Sequence, residues 1–278
     1  MQEDRVEDVA DAIAGLGYDG IVAFDRTEPE YATIESLYDA YENEALVKLL
    51  VVCATTQDYQ LNGDAQQFWR KLDEVALDHG TLDTAQDVRD ILGTFMEADV
   101  NARLNDQKRD RLVRILEAEF DDWFVENHRI ATPLTVWERL AGALDTGMNK
   151  KTVVLAMKIY DIAHLIRHGE YLEFPWEIPI PCDLQVERVS RTSGVNEGGT
   201  TTEILETWAA VMEGVSERLD QHISLLRIDS IVWQAGQIIG DHEPDADAAR
   251  YALTDHFLTV GIDEDPANEL ASELTARM

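Results

Sequence analysis

The sequence predicts an all-α fold, and three observations carry the prediction. Apolar residues recur at spacings of three and four in most of the long segments. Strand-period alternation is scarce throughout. Several of these segments open or close on helix-boundary residues, as at Thr132-Pro133, where Pro occupies the first helical position.

The helices follow in order. Ala45 to Thr56 is apolar with few breaks. Ala65 to Leu77 follows Gly63 and sets Phe68, Leu72 and Val75 on one stripe. Asp110 to Phe120 aligns Leu112, Ile115, Leu116 and Phe120, and the helix opened by Pro133 runs through Val136, Trp137 and Leu140. Thr201–Leu219, Leu225–Ile239 and Ala246–Val260 complete the second half. Two stretches break the pattern. Phe174 to Asp183 holds prolines at 175, 179 and 181 and must be extended, because each Pro pushes its predecessor out of the α region. Arg191 to Thr202 is rich in Gly, Ser and Thr and reads as a mobile linker. No internal repeat is found.

Composition bounds the class. The 278 residues include 55 acidic and 23 basic side chains, a formal net charge of −32. Only six of the cations are Lys. A dense acidic surface poor in Lys keeps a protein hydrated in molar salt, where the Debye length is about 3 Å and self-repulsion is screened. The charge is spread along the chain, which reads as a halophile's habitat and not as an acidic mimic of nucleic acid. Two Cys, Cys53 and Cys182, exclude a disulfide framework and a Cys-built iron–sulfur or zinc site. The acidic N-terminus lacks the apolar stretch of a secretory signal, and no apolar run approaches a membrane span. A soluble cytoplasmic protein without metal or cofactor is expected. His164 and His168 stand four apart, but no third ligand lies at a suitable spacing, so they read as structural.

Three elements carry candidate chemistry. From Val153 to Ile166 one helix is apolar nearly all round, as a buried helix is, yet Asn149–Ile166 holds three of the six lysines. Lys151 and Lys158 are seven residues apart, two turns, and share a side. A Lys there serves as a nucleophile when desolvation, neighbouring cations and the helix N-terminus favour its neutral form. The same pattern fits solvated first-turn lysines at 150 and 151 and a snorkelling Lys158. Asp183 ends the Pro-rich stretch ahead of Leu184, Val186 and Val189; it fits a helix N-cap, and a capping carboxylate held in place is also suited to face developing positive charge. Asp229 and Trp233 share a helix face, which fits either a site for a flat heterocycle or a core Trp.

Taken in order, KKTVVLAMKIYDIA, FPWEIPIPCDLQVERV and RIDSIVWQAG resemble the archaeal 8-oxoguanine DNA glycosylases known as AGOG, of the helix–hairpin–helix superfamily. The most specific run is Asn149–Val189, with Asp183 placed 32 residues after Lys151; Pro29-Glu-Tyr31 and Tyr59-x-Leu-x-Gly-x5-Trp69 extend the resemblance over about residues 25–240. The resemblance implies a two-lobed helical fold with the active site in a cleft between lobes. One lobe would span about 45–185 with the helix–hairpin–helix, and the other 1–44 plus 186–278. It implies a monomeric repair enzyme that binds DNA containing 8-oxoguanine, with Lys151 as nucleophile and Asp183 as its acidic partner. A Schiff base and β-elimination would follow base loss. The base pocket falls on Lys158, Asp229, Trp233 and Trp69, with Glu30 where the family has an amide and Leu155 where it has an aromatic. The hairpin, Leu140 to Asn149, lacks the superfamily's Pro-Gly-Val-Gly. The local surplus of positive charge at Arg103, Lys108, Arg109 and Arg111, near Arg114, is an expected phosphate-contacting patch, and it fits a solvated helix face equally well. A polyanion is expected to lean on backbone N–H groups for the rest.

Overall fold

The computed structural model describes residues 3–278, and among these every regular element is helical. The α-helices are α1 (Glu3–Ala14), α2 (Gly17–Ala23), α3 (Pro29–Ala40), α4 (Glu44–Thr55), α5 (Ala65–His79), α6 (Ala85–Phe95), α7 (Asn105–Glu117), α8 (Phe120–Asn127), α9 (Pro133–Ala143), α10 (Lys151–His168), α11 (Leu184–Ser193), α12 (Thr201–Leu219), α13 (Leu225–His242), α14 (Ala246–Val260) and α15 (Glu264–Leu274). Two short 3-10 turns, Phe24–Thr27 and Asp99–Asn101, join them. None of these helices is long and apolar enough to cross a membrane.

The chain forms two compact units, a terminal one of residues 1–27 and 176–278 and a central one of residues 28–175. These boundaries differ from the expected ones near 45 and 185. Helix α3 packs on α5, α4 and α10, and Thr33 Oγ1 donates to the Trp69 carbonyl at 3.1 Å, so α3 belongs to the central unit. The extended segment after Pro175 goes with the terminal unit, because Ile180 is wholly buried in that unit's core.

The central unit is organised by α4 and α10, which pack against each other; α4 is buried beyond Glu44, and α10 is buried from Thr152 to Ala163 apart from Leu155. Burial of the whole circumference explains why their sequences show little polar face. Around them α5 and α6 bring Phe68 and Phe95 into an edge-on contact with centroids 4.8 Å apart. The apolar run expected as one helix over Asp110–Phe120 is divided between α7 and α8, because Glu119 takes the left-handed conformation (φ 54°) and redirects the chain.

In the terminal unit α13 is the central element, flanked by α11 and α14, while α1 packs on α12 and α15. Buried Asp25 is answered by Arg227 and Ser230, both on α13. The segment expected as a linker is shorter than Arg191–Thr202. Arg191–Ser193 close α11, Gly194 ends it at φ 81°, and Val195 is wholly buried. Apolar contact on Val195 holds the chain where a Gly- and Ser-rich composition reads as loose.

Candidate active site

The expected site residues fall in both units.

In the central unit, Lys151 is the first residue of α10, and the turn before it is tightly defined. Helix α9 ends in a Schellman arrangement: Thr146 N–H reaches the Ala141 carbonyl at 3.1 Å and Asp145 N–H reaches Gly142 at 3.0 Å. Asp145 fills the left-handed position, φ 49°, that Gly usually takes. This is how the hairpin closes without Pro-Gly-Val-Gly. Trp137 Nε1 donates to the Met148 carbonyl at 2.9 Å, pinning the turn to α9. Beyond the hairpin, Arg111 donates to Thr152 Oγ1 at 2.8 Å, so α7 also holds the first turn of α10. Lys151 is half-buried, Lys150 before it is exposed, and Leu155 one turn on is half-buried.

Lys158 lies two turns deeper, 1% exposed, with Glu28 Oε1 3.3 Å from its Nζ. Glu28 precedes α3, and Glu30, in the first turn of that helix, is buried beside it. Two buried carboxyls therefore share one ammonium. Burial first, and then the charge of Glu28, raises the Glu30 carboxyl well above its ordinary value, with Lys158 opposing. Glu30 is thereby favoured as the neutral acid, which donates a hydrogen bond as an amide does. Trp69, on α5, is also fully buried and meets Phe68 edge-on at 5.6 Å. Glu28 was missed from the sequence, where an acidic residue before Pro reads as surface.

In the terminal unit, Asp183 is the N-cap of α11. Its carboxylate accepts from Gln185 N–H at 2.8 Å and Val186 N–H at 3.2 Å, as the capping reading expected. Gly236 of α13 sets the approach of α11: a methyl there would stand 2.8 Å from the Gln185 carbonyl oxygen. Arg188 stitches the same crossing by donating to the Gly236 carbonyl at 3.0 Å. Asp229 is buried on α13, and Trp233 one turn later is half-buried. Burial, then the charges of Glu187, Asp183 and Asp229, pushes the Cys182 thiol up to about 12, so all three carboxylates bear on the end of the Pro-rich segment.

The basic cluster divides. Lys108 is wholly buried, donates to Asn101 Oδ1 at 3.1 Å and sits over the Tyr59 ring, so it is not a surface contact for phosphate. Arg111 covers the same ring at 5.3 Å and is committed to Thr152. Arg103 is exposed, with Gln60 Oε1 at 2.7 Å, and Arg109 is partly exposed, with Asn105 Oδ1 at 2.7 Å.

This all-helical arrangement, with a lysine at a hairpin–helix junction, is of the DNA glycosylase class. The family model of the AGOG N-glycosylase/DNA lyases matches residues 10–269, and the chain belongs to that family. An N-glycosylase/DNA lyase of Methanopyrus kandleri is 28% identical over 58% of this chain and 66% of its own length. Another, from Pyrobaculum aerophilum, is 22% identical over 85% and 88%. The crystal structure of an 8-oxoguanosine-complexed AGOG, an 8-oxoguanine DNA glycosylase of Pyrobaculum aerophilum, superposes with a TM-score of 0.70 over 98% of this chain and 97% of that one, at 18% identity.

Proposed function

We propose that this chain is a bifunctional base-excision repair enzyme that removes 8-oxoguanine from DNA and then cleaves the strand. The observation that carries the reading is Lys151 at the first position of a buried helix whose start is fixed by the hairpin and by Arg111. The target nucleotide leaves the stack, because its anomeric carbon is unreachable in a duplex. The neutral Lys151 amine attacks that carbon and the base departs with the bonding electrons. Asp183, its carboxylate held by the Gln185 and Val186 amides, stabilises the positive charge that develops on the sugar. Opening of the sugar ring yields the Schiff base. Loss of the neighbouring C2′ proton then expels the 3′ phosphate.

For the base, the side chains proposed are Lys158 and Trp69 of the central unit and Asp229 and Trp233 of the terminal unit, and Glu30 as the neutral acid supplies the donor that the family draws from an amide. Leu155 cannot stack as an aromatic does, a contact worth about 1–3 kcal/mol per base. That substitution favours a second reading, a broader range of oxidised purines, which competition between lesions decides. Arg103 and Arg109 are the side chains proposed for phosphate.

The test is borohydride trapping on an 8-oxoguanine duplex in molar KCl. A covalent adduct in the wild type, absent in Lys151→Gln, is expected. Asn caps a helix about as well as Asp, so Asp183→Asn keeps its melting temperature and loses excision. A folded wild-type protein giving neither adduct nor free base overturns the assignment.

A further inference from the structure

A second cluster of the central unit has no part in this mechanism. His164 and His168 stand one turn apart at the C-terminal end of α10, and the fold brings Glu44, the first residue of α4, against them. The expectation that the two histidines lack a third ligand is corrected here. One ligand atom from each of the three side chains lies within 4.8 Å of the others. His168 Nε2 is 2.8 Å from Glu44 Oε1, and the two imidazole rings overlap with centroids 4.3 Å apart. Buried Lys48 sits among them, its Nζ 2.6 Å from Glu44 Oε1 and 3.1 Å from His164 Nδ1. An ammonium only donates, so Nδ1 of His164 presents a lone pair to it.

We propose that Glu44, His164 and His168 bind a divalent transition ion of the zinc class, which displaces the Lys48 ammonium from their donor atoms. Two imidazoles and a carboxylate are a donor set such ions favour, with a fourth position left for water. With metal–ligand bonds of about 2.0–2.2 Å, tetrahedral donors stand roughly 3.3–3.5 Å apart. The Glu44–His168 pair opens slightly from 2.8 Å, and side-chain rotation covers the remainder. The last turn of α10 contributes as well, because the negative end of the helix favours a cation. His168 is 40% exposed, which gives an ion an approach from solvent. In the ion-free protein Lys48 supplies the positive charge these donors require. An ion and an ammonium cannot share them without strong repulsion, so Lys48 leaves them.

The experiment titrates the full chain with zinc by calorimetry and with cobalt by visible absorption. It is run in molar KCl, where screening suppresses diffuse binding to the acidic surface. One ion per chain is expected, with the visible bands of a low-coordinate imidazole site. His168→Gln should weaken binding at least about tenfold, as loss of a metal ligand or its support does. Lys48→Met should tighten it by about tenfold or more, since a cation a few ångströms from the ion is removed. Thermal melting shows that each variant is folded. No uptake by the wild type, or uptake unchanged in His168→Gln, overturns the site. Equal affinity in Lys48→Met overturns the displacement.

Discussion

Gly236→Ala tests how Asp183 is positioned. A methyl at Gly236 would stand 2.7 Å from Gln185 Cβ, 2.8 Å from its carbonyl oxygen and 2.9 Å from its Cα. Ordinary contact begins at 3.4 Å, so α11 must retreat by roughly 0.6 Å, and most of the obstruction is backbone that no rotamer change relieves. Overpacking of this kind costs about 1–3 kcal/mol. For a chain of this length that lowers the melting temperature by roughly 2–6 °C. The displaced turn begins two residues before Gln185, at the capping Asp183. A placement error approaching 1 Å costs on the order of 100-fold in rate. Single-turnover excision should therefore fall by one to two orders of magnitude, while affinity for undamaged duplex stays near that of the wild type. Excision within about threefold of wild type, with the melting temperature lowered as expected, would refute the claim that this crossing places the carboxylate.

Two further predictions follow from the central unit. Because the folded value of Glu30 is raised, its stabilising contribution is fully present below about 4.5 and is lost as pH rises through the folded value. Glu30→Gln should flatten this fall in a pH series of melting curves and keep excision as pH rises through the folded value, where the wild type loses its donor; a profile identical to wild type would contradict a neutral Glu30. Among the cations, Arg103→Ala and Arg109→Ala should each lower the slope of log affinity against log salt by about 0.9. Lys108→Met should leave that slope unchanged, as measured by fluorescence anisotropy over a KCl series.

Helices flanked by strong local signals were legible to the residue. Thr201–Leu219 is closed at its start by a capping box between Thr200 and Glu203, and Ala246–Val260 by Asp245. The break at Glu119 was not, because nothing in a Glu announces a left-handed backbone. Lys108 reads as part of a basic patch when charge is counted along the chain. Its spacing says otherwise, since it shares an i, i+4, i+7 stripe with Leu112 and Ile115, the other buried residues of α7. Lys151 stood out as a lysine on a nearly all-apolar helix and Asp183 as a cap after the Pro-rich stretch, but their roles were implied only by the resemblance to the AGOG family. Glu28 and Glu44 did not, because their partners Lys158 and His168 lie more than a hundred positions away and only packing joins them.

The anchoring of Arg111 has a consequence for how the enzyme tolerates its solvent. Its guanidinium is held by a neutral hydroxyl, Thr152, and by the face of the Tyr59 ring. Both attractions act at contact range, where dissolved ions do not intervene. Arg218 is held instead by Glu7 and Asp11, both largely exposed to solvent. As the salt concentration rises or falls, such surface pairs weaken or tighten, whereas the start of the lysine-bearing helix keeps its place. The chemistry proposed at that lysine is thereby insulated from changes of ionic strength, where a small drift of the amine would silence it.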